Sequence, residues 1–255
     1  MLEKWKRALS LFLEEYEDND DVIGALLCGS YASGNQTNNS DIDVHLILKD
    51  SVDYRQRGVK EVNGFLIEYF MNPIRILKKE IEEENIDGGN CTTTMFAYGK
   101  IIYDLEGKVK ELQDFATDYF DKPLNDKSIN QIKMNNYHIW DLLDELKTAL
   151  DEKSNNFELI YYNLLSKIYN CYAEYLNIPK LAVSKTYKIL SNEEFRKKYH
   201  VFKLPEKEFI RLYLECFENI NKEDKFNNIS KLVEYYFNKQ GGFDITKFYI
   251  TSKEK

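Results

Sequence analysis

Several residue types are too scarce in this chain for whole classes of architecture. Four prolines and eleven glycines in 255 residues exclude collagen-like, linker-rich and low-complexity chains. The four cysteines, Cys28, Cys91, Cys171 and Cys216, lie far apart with no CxxC pair, and only three histidines accompany them (His45, His138 and His200). That excludes a zinc site by spacing, leaves His-based triad chemistry little material, and reads as free thiols of the reducing cytoplasm. No apolar run approaches the roughly 18 residues of a membrane span. The opening Met1-Leu2-Glu3-Lys4-Trp5-Lys6-Arg7 runs on into an amphipathic pattern, not a signal-peptide core. A basic surplus is missing too: 35 Lys and Arg face 43 Asp and Glu, a net charge of −8. Neither a membrane nor nucleic acid is therefore the expected partner. What the chain has in quantity is aromatic mass, nineteen tyrosines and fifteen phenylalanines, which argues against disorder.

The charge is unevenly placed. Residues 1–122 hold 14 Lys and Arg against 24 Asp and Glu, net −10; residues 123–255 hold 21 against 19, net +2. Hydrophobic periodicity divides at the same point. Leu2, Trp5, Leu9, Phe12, Leu13 and Tyr16 mark an amphipathic helix over 2–17, closed by the acidic run 17–21. A continuous apolar strand follows over 22–28, then a second over 41–48. Strands 58–62 and 65–71 flank Asn63-Gly64, the strongest short hairpin signal. A helix opens at Pro73 and runs to about residue 84; a strand over 99–103 and a helix over 108–120 complete this half. Beyond Pro123, residues 128–150, 155–176, 205–219 and 222–239 carry helical periodicity, with a strand expected only in the Phe243–Ile250 tail. The expectation is α+β: a mixed-sheet domain over 1–122 followed by an all-helical domain over 123–255.

The chemistry concentrates in residues 24–48. The first strand runs into Gly29-Ser30 and a short helix ending near Gly34, so backbone N–H groups and the helix dipole offer an anion site, with Gly29 permitting close backbone approach. After an Asn-rich loop, Ser40-Asp41-Ile42-Asp43 opens the second strand. Period-2 geometry puts both carboxylates on one face about 6.6–6.8 Å apart along the chain, with Ile42 and Val44 facing the core. Two carboxylates plus nucleotide phosphates and water suit magnesium. Asp-x-Asp alone carries nothing, since about one is expected by chance, and Asp18-Asn19-Asp20 repeats the spacing in what reads as a solvated turn. The weight lies on the full composite of strand, Gly-Ser, short helix, polar loop and second strand.

This composite resembles the nucleotidyltransferase superfamily typified by DNA polymerase beta, in the branch of the kanamycin and lincosamide nucleotidyltransferases. Gly29, Ser30, Gly34, Asp41 and Asp43 match its signature. The resemblance implies a polymerase-beta-like fold and a third carboxylate on a later strand, for which Glu68 is the candidate as the sole charge in Phe65–Met71. Asp41, Asp43 and Glu68 would then hold Mg²⁺, with Gly29, Ser30 and Ser40 on the triphosphate, most simply ATP. Such enzymes take a general base from the start of the helical domain, and Asp144 in Asp141-Leu-Leu-Asp144-Glu145 answers to it. Residues 180–211 hold nine Lys and Arg against four acids; Lys185 is the expected triphosphate contact there, with Lys147 next. His45 reads as packed beyond the two aspartates, Cys28 as core and Asp104 as a cap.

The activity implied is transfer of a nucleoside monophosphate, AMP from ATP, to a hydroxyl of a small molecule such as an aminoglycoside or lincosamide. The acidic first half suits a cationic acceptor. Relatives of this kind sometimes build the site across a homodimer, a partner the resemblance leaves open. The competing reading is a regulatory, antitoxin-type module that modifies or binds a partner protein.

Overall fold

A computed structural model describes residues 2–218 and 220–251. They fall into two compact units: one of residues up to 123 together with Lys197–His200, the other of 124–196 and 201 onward.

The first unit runs α1 (Leu2–Glu14), β1 (Val22–Leu27), α2 (Gly29–Ser33), β2 (Ile42–Leu48), β3 (Gln56–Val62), β4 (Phe65–Pro73), α3 (Ile74–Asp87), α4 (Cys91–Tyr98), β5 (Lys100–Asp104) and α5 (Lys108–Asp121). The sheet order is β3-β4-β2-β1-β5, with β2 parallel to β4 and the other pairs antiparallel. This is the expected mixed α+β sheet. β1 is buried along its whole length and β2 nearly so, as continuous apolar runs require of doubly covered strands. Asn63 and Gly64 take φ of 51° and 79°, the positive pair of a type I′ turn, which fixes the β3–β4 register.

Alternation sorts the side chains into two cores. Ile42, Val44, Leu46, Ile67 and Met71 pack with Leu9, Phe12 and Leu13 under α1. On the opposite face, Ile23, Leu26 and Ile47 meet Ile74, Leu77, Phe96 and Leu112 from α3, α4 and α5. Helix α4 is absent from the sequence pattern, because Cys91-Thr-Thr-Thr-Met lacks helical periodicity and is rich in β-branched residues. Its start is held from outside: the Glu84 carboxylate accepts from the backbone N–H groups of Thr92 (2.8 Å) and Thr93 (3.0 Å) and from the Thr93 hydroxyl (3.1 Å). Helix α3 begins at Ile74, where Asp50 accepts from the Arg75 N–H at 2.7 Å.

The second unit contains α6 (Ile129–Asp151), α7 (Phe157–Tyr175), α8 (Val183–Ser191), α9 (Glu193–Lys198, whose last two residues belong to the first unit), α10 (Lys207–Glu215) and α11 (Lys222–Lys239). Ser128 and Asn221 cap α6 and α11 by accepting the N–H of Gln131 and Asp224. The core is rich in tyrosine, and three of its hydroxyls are partnered: Tyr161 donates to the Cys216 carbonyl (2.6 Å), Tyr172 to Glu206 (2.5 Å) and Tyr236 to Asn136 (2.8 Å). The expected helix over 205–219 narrows to α10, and Asn219 lies outside the described residues.

One expectation fails. Phe243–Ile250 is not a strand: it holds a single 3₁₀ turn, Ile245–Lys247, with Phe243 stacked on Phe237 and Phe248 on Tyr137. With helices on every side among the described residues of this unit, the tail has no sheet edge to pair with, so its aromatics dock individually.

Candidate metal centre

Each carboxylate of the first unit reaches the site by a separate piece of backbone logic. Asp43 is the first odd-numbered residue inside β2, pointing away from the Ile42–Val44 core. Asp41 stands just before the strand on the same parity. Glu68 arrives through the parallel pairing, in which Asp43 lies directly opposite Glu68. One oxygen from each of Asp41, Asp43 and Glu68 lies within 4.8 Å of the others; Asp41 is exposed and the other two half-buried. Three negative charges at such spacing repel unless a cation or ion pair sits among them.

Oxygens bound to Mg²⁺ at about 2.1 Å stand about 3.0 Å apart when adjacent and about 4.2 Å when opposite, so this all-oxygen set suits the ion in kind and would draw together by up to about 2 Å to share it. Glu68 also has a protein partner. Arg57 on β3 donates to its Oε1 from Nη2 (2.5 Å) and Nε (3.0 Å). Arg57 is the residue the sequence reading missed. The two-residue Asn63-Gly64 turn was the available signal: it sets Arg57 opposite Phe70 and Val59 opposite Glu68, placing Arg57 diagonal to the acid on the same face.

Gly29 approaches Asp43 so closely that a Cβ on it would lie 1.8 Å from Asp43 Oδ2, and its φ is +62°. The neighbouring Cys28 N–H donates to the Asp43 carbonyl at 2.9 Å. Helix α2 is pinned by Tyr31, which is buried against Trp5 with ring centroids 5.1 Å apart. Burial, then the charge of Asp41, raises the Tyr31 phenol above its ordinary value. Ser30 is half-buried in the first turn of α2. Ser40 serves the loop itself, its hydroxyl accepting the Thr37 N–H at 2.9 Å.

Below the acids, His45 is 5% exposed, stacked on Phe70 (4.9 Å, 16°) and edge-on to Phe96 (4.8 Å). Neither ring nitrogen has a hydrogen-bond partner, and burial lowers its pKa to about 4, so it is neutral at pH 7. Cys28 is core, its thiol pushed well above the ordinary range by burial and then by Asp43. Asp104 caps α5 by accepting the Lys110 N–H at 2.9 Å.

The remaining expected residues belong to the helical unit. Asp144 and Lys147 are exposed on α6, where Lys147 pairs with Asp151 one turn on; Lys185 is exposed in the first turn of α8.

Residues 12–104 match the family model described as Polymerase beta, Nucleotidyltransferase. The first unit has a nucleotidyltransferase-like fold. The matched segment contains Gly29, Ser30, Asp41, Asp43 and Glu68, and the chain as a whole joins this nucleotidyltransferase-like fold to a helical remainder. Among solved structures, a nucleotidyltransferase-like protein from Exiguobacterium sibiricum 255-15 aligns with 92% of this chain and 75% of its own, at 10% identity and a TM-score of 0.47. No curated protein matches the chain. Among the described residues no helix is long and apolar enough to cross a membrane.

Proposed function

We propose that the protein transfers AMP from ATP, with Mg²⁺, to a hydroxyl of a small cationic molecule of the aminoglycoside or lincosamide kind. The observation that carries the reading is the convergence of Asp41, Asp43 and Glu68 within 4.8 Å beside Gly29, inside the segment that matches a nucleotidyltransferase family. The net charge of −10 over residues 1–122 supports a cationic acceptor.

In this reading Asp41, Asp43 and Glu68 hold the metal, which when bound neutralises charge developing on the triphosphate. Gly29 and Ser30 cradle phosphate oxygens through backbone N–H and hydroxyl groups, and Ser40 shapes the loop beside them. The acceptor oxygen attacks the α-phosphorus, the bond from that phosphorus to the bridging oxygen breaks, and pyrophosphate departs. Asp144 takes the hydroxyl proton, and Lys147 and Lys185 counter the triphosphate charge. The catalytic domain is residues 1–122, the helical domain is 123–255, and the setting is the cytoplasm.

The test offers the purified protein, Mg²⁺ and α-labelled ATP to a panel of aminoglycosides, lincosamides and lysate proteins. Label on a drug is the expected result. Label on a protein band would replace the acceptor with a protein hydroxyl. No transfer from any nucleoside triphosphate, together with no metal-dependent ATP binding, would overturn the reading.

A further inference from the structure

The carboxylate cluster is not left to solvent: one of its three members already has a cation, and that cation is built in. Resting on the reading of Asp41, Asp43 and Glu68 as metal ligands, we propose that Arg57 is the resident counter-ion of Glu68 and competes with the metal for it, so that Arg57 sets the metal concentration at which the site loads.

Three observations carry this. Two guanidinium nitrogens of Arg57, Nη2 and Nε, donate to the same oxygen, Glu68 Oε1, at 2.5 and 3.0 Å. An oxygen engaged by two charge-assisted donors has less to offer a second cation. Next, the guanidinium is held in place by something other than its ion pair. Its carbon lies 4.8 Å from the centroid of Phe70, which stacks on His45, which in turn meets Phe96 edge-on. The platform is anchored in the core: His45 and Phe96 are both buried. An exposed ion pair ordinarily loses most of its worth to the entropy of fixing two long side chains; here the aromatic face fixes one of them in advance. Finally, the partner is asymmetric in exposure. The Glu68 side chain is 19% exposed while that of Arg57 is 69% exposed. The acid therefore stays in place while the cation can swing outward on an edge strand without disturbing the core.

The consequence is an exchange. When a dication enters, it meets a carboxylate whose charge is already shared with Arg57 through Oε1, and the positive charge of Arg57 opposes the ion until the side chain moves away. Removing that charge should strengthen metal binding. A residue with a merely structural role would leave binding unchanged or weaken it.

The experiment measures Mn²⁺ binding to the full chain by electron paramagnetic resonance without nucleotide, for wild type, R57Q, R57K, E68Q, R57Q/E68Q and D43N. R57Q is expected to bind Mn²⁺ about three- to fivefold more tightly, the range set by the worth of an exposed ion pair. R57K keeps the charge and should stay within about twofold of wild type. In the E68Q background the gain from R57Q should shrink to less than about twofold, since the contested carboxylate charge is gone. Equal or weaker binding by both R57Q and R57K, with D43N impaired, overturns the proposal and leaves the metal reading standing. If D43N binds Mn²⁺ as tightly as wild type, the metal reading fails and the proposal falls with it. Arg57 is exposed on an edge strand, and thermal melts by circular dichroism check that each variant is folded.

Discussion

Two Asp-x-Asp triplets in this chain share their spacing and almost nothing else. Asp18 and Asp20 are exposed in the turn after α1, where Asn19 takes the structural role: its side chain accepts the Asp21 N–H at 3.0 Å and its carbonyl accepts the Val22 N–H at 2.9 Å. Asp41 and Asp43 open a central strand, meet a third acid across a parallel pairing, and lie under a glycine with no room for a side chain. The spacing of two carboxylates is thus only a local fact. A strand neighbour supplies the third carboxylate, and the preceding strand-to-helix turn brings Gly29 against Asp43.

The largest test breaks that contrast directly. D43N should lower nucleotidyl transfer at least about 10³-fold, roughly 4 kcal/mol of transition-state stabilisation, whereas D20N should leave initial rates within about twofold of wild type. Comparable losses in the two variants would erase the distinction. A second test addresses the platform under the acids. Burial holds His45 near a pKa of about 4 in the folded chain, against 6.5 when exposed. The unfolded chain therefore binds the extra proton first, so the stability His45 contributes is present above pH 6.5 and lost as pH falls toward 4, about 3 kcal/mol in all. Urea unfolding at stepped pH should show a shallower acid loss for His45→Phe than for wild type; parallel curves would mean the ring is not buried as described.

Third, Gly29→Ala places a Cβ 1.8 Å from Asp43 Oδ2 on a backbone with φ of +62°. It should cost about 2 kcal/mol or more in chemical denaturation and weaken Mn²⁺ binding as Asp43 is displaced. Gly34→Ala makes the same change at φ of +75° in open space. Its cost should be about 1 kcal/mol, with Mn²⁺ affinity retained. Equal effects on metal binding would show that proximity to Asp43 is irrelevant.

The reach of the sequence follows the range of the interactions involved. Periodicity and the Asn63-Gly64 turn give β1, β2, β3, β4, α5 and the long helices, because each is specified within a few residues of itself. Asp41, Asp43 and Glu68 are legible as well, the last as a lone charge in an apolar strand. Helix α4 is not legible, because what starts it is the Glu84 carboxylate at the far end of α3. Nor is the Arg57–Glu68 pair read directly, although the hairpin register contains it. The strand expected over Phe243–Ile250 is a 3₁₀ turn instead, because a local pattern says nothing about whether an unpaired strand edge is at hand.

Cys28 gives the molecule a clock. Its thiol is 1% exposed, packed with Phe96, and donates to the Met95 carbonyl at 3.5 Å, so α4 lies over it like a cover. Cys91, at the start of that same helix, is exposed. In a C91S background, the rate at which a thiol reagent labels Cys28 counts how often α4 lifts from the end of β1. That rate reads the opening dynamics of the strand end that carries Gly29, with no nucleotide, metal or turnover needed.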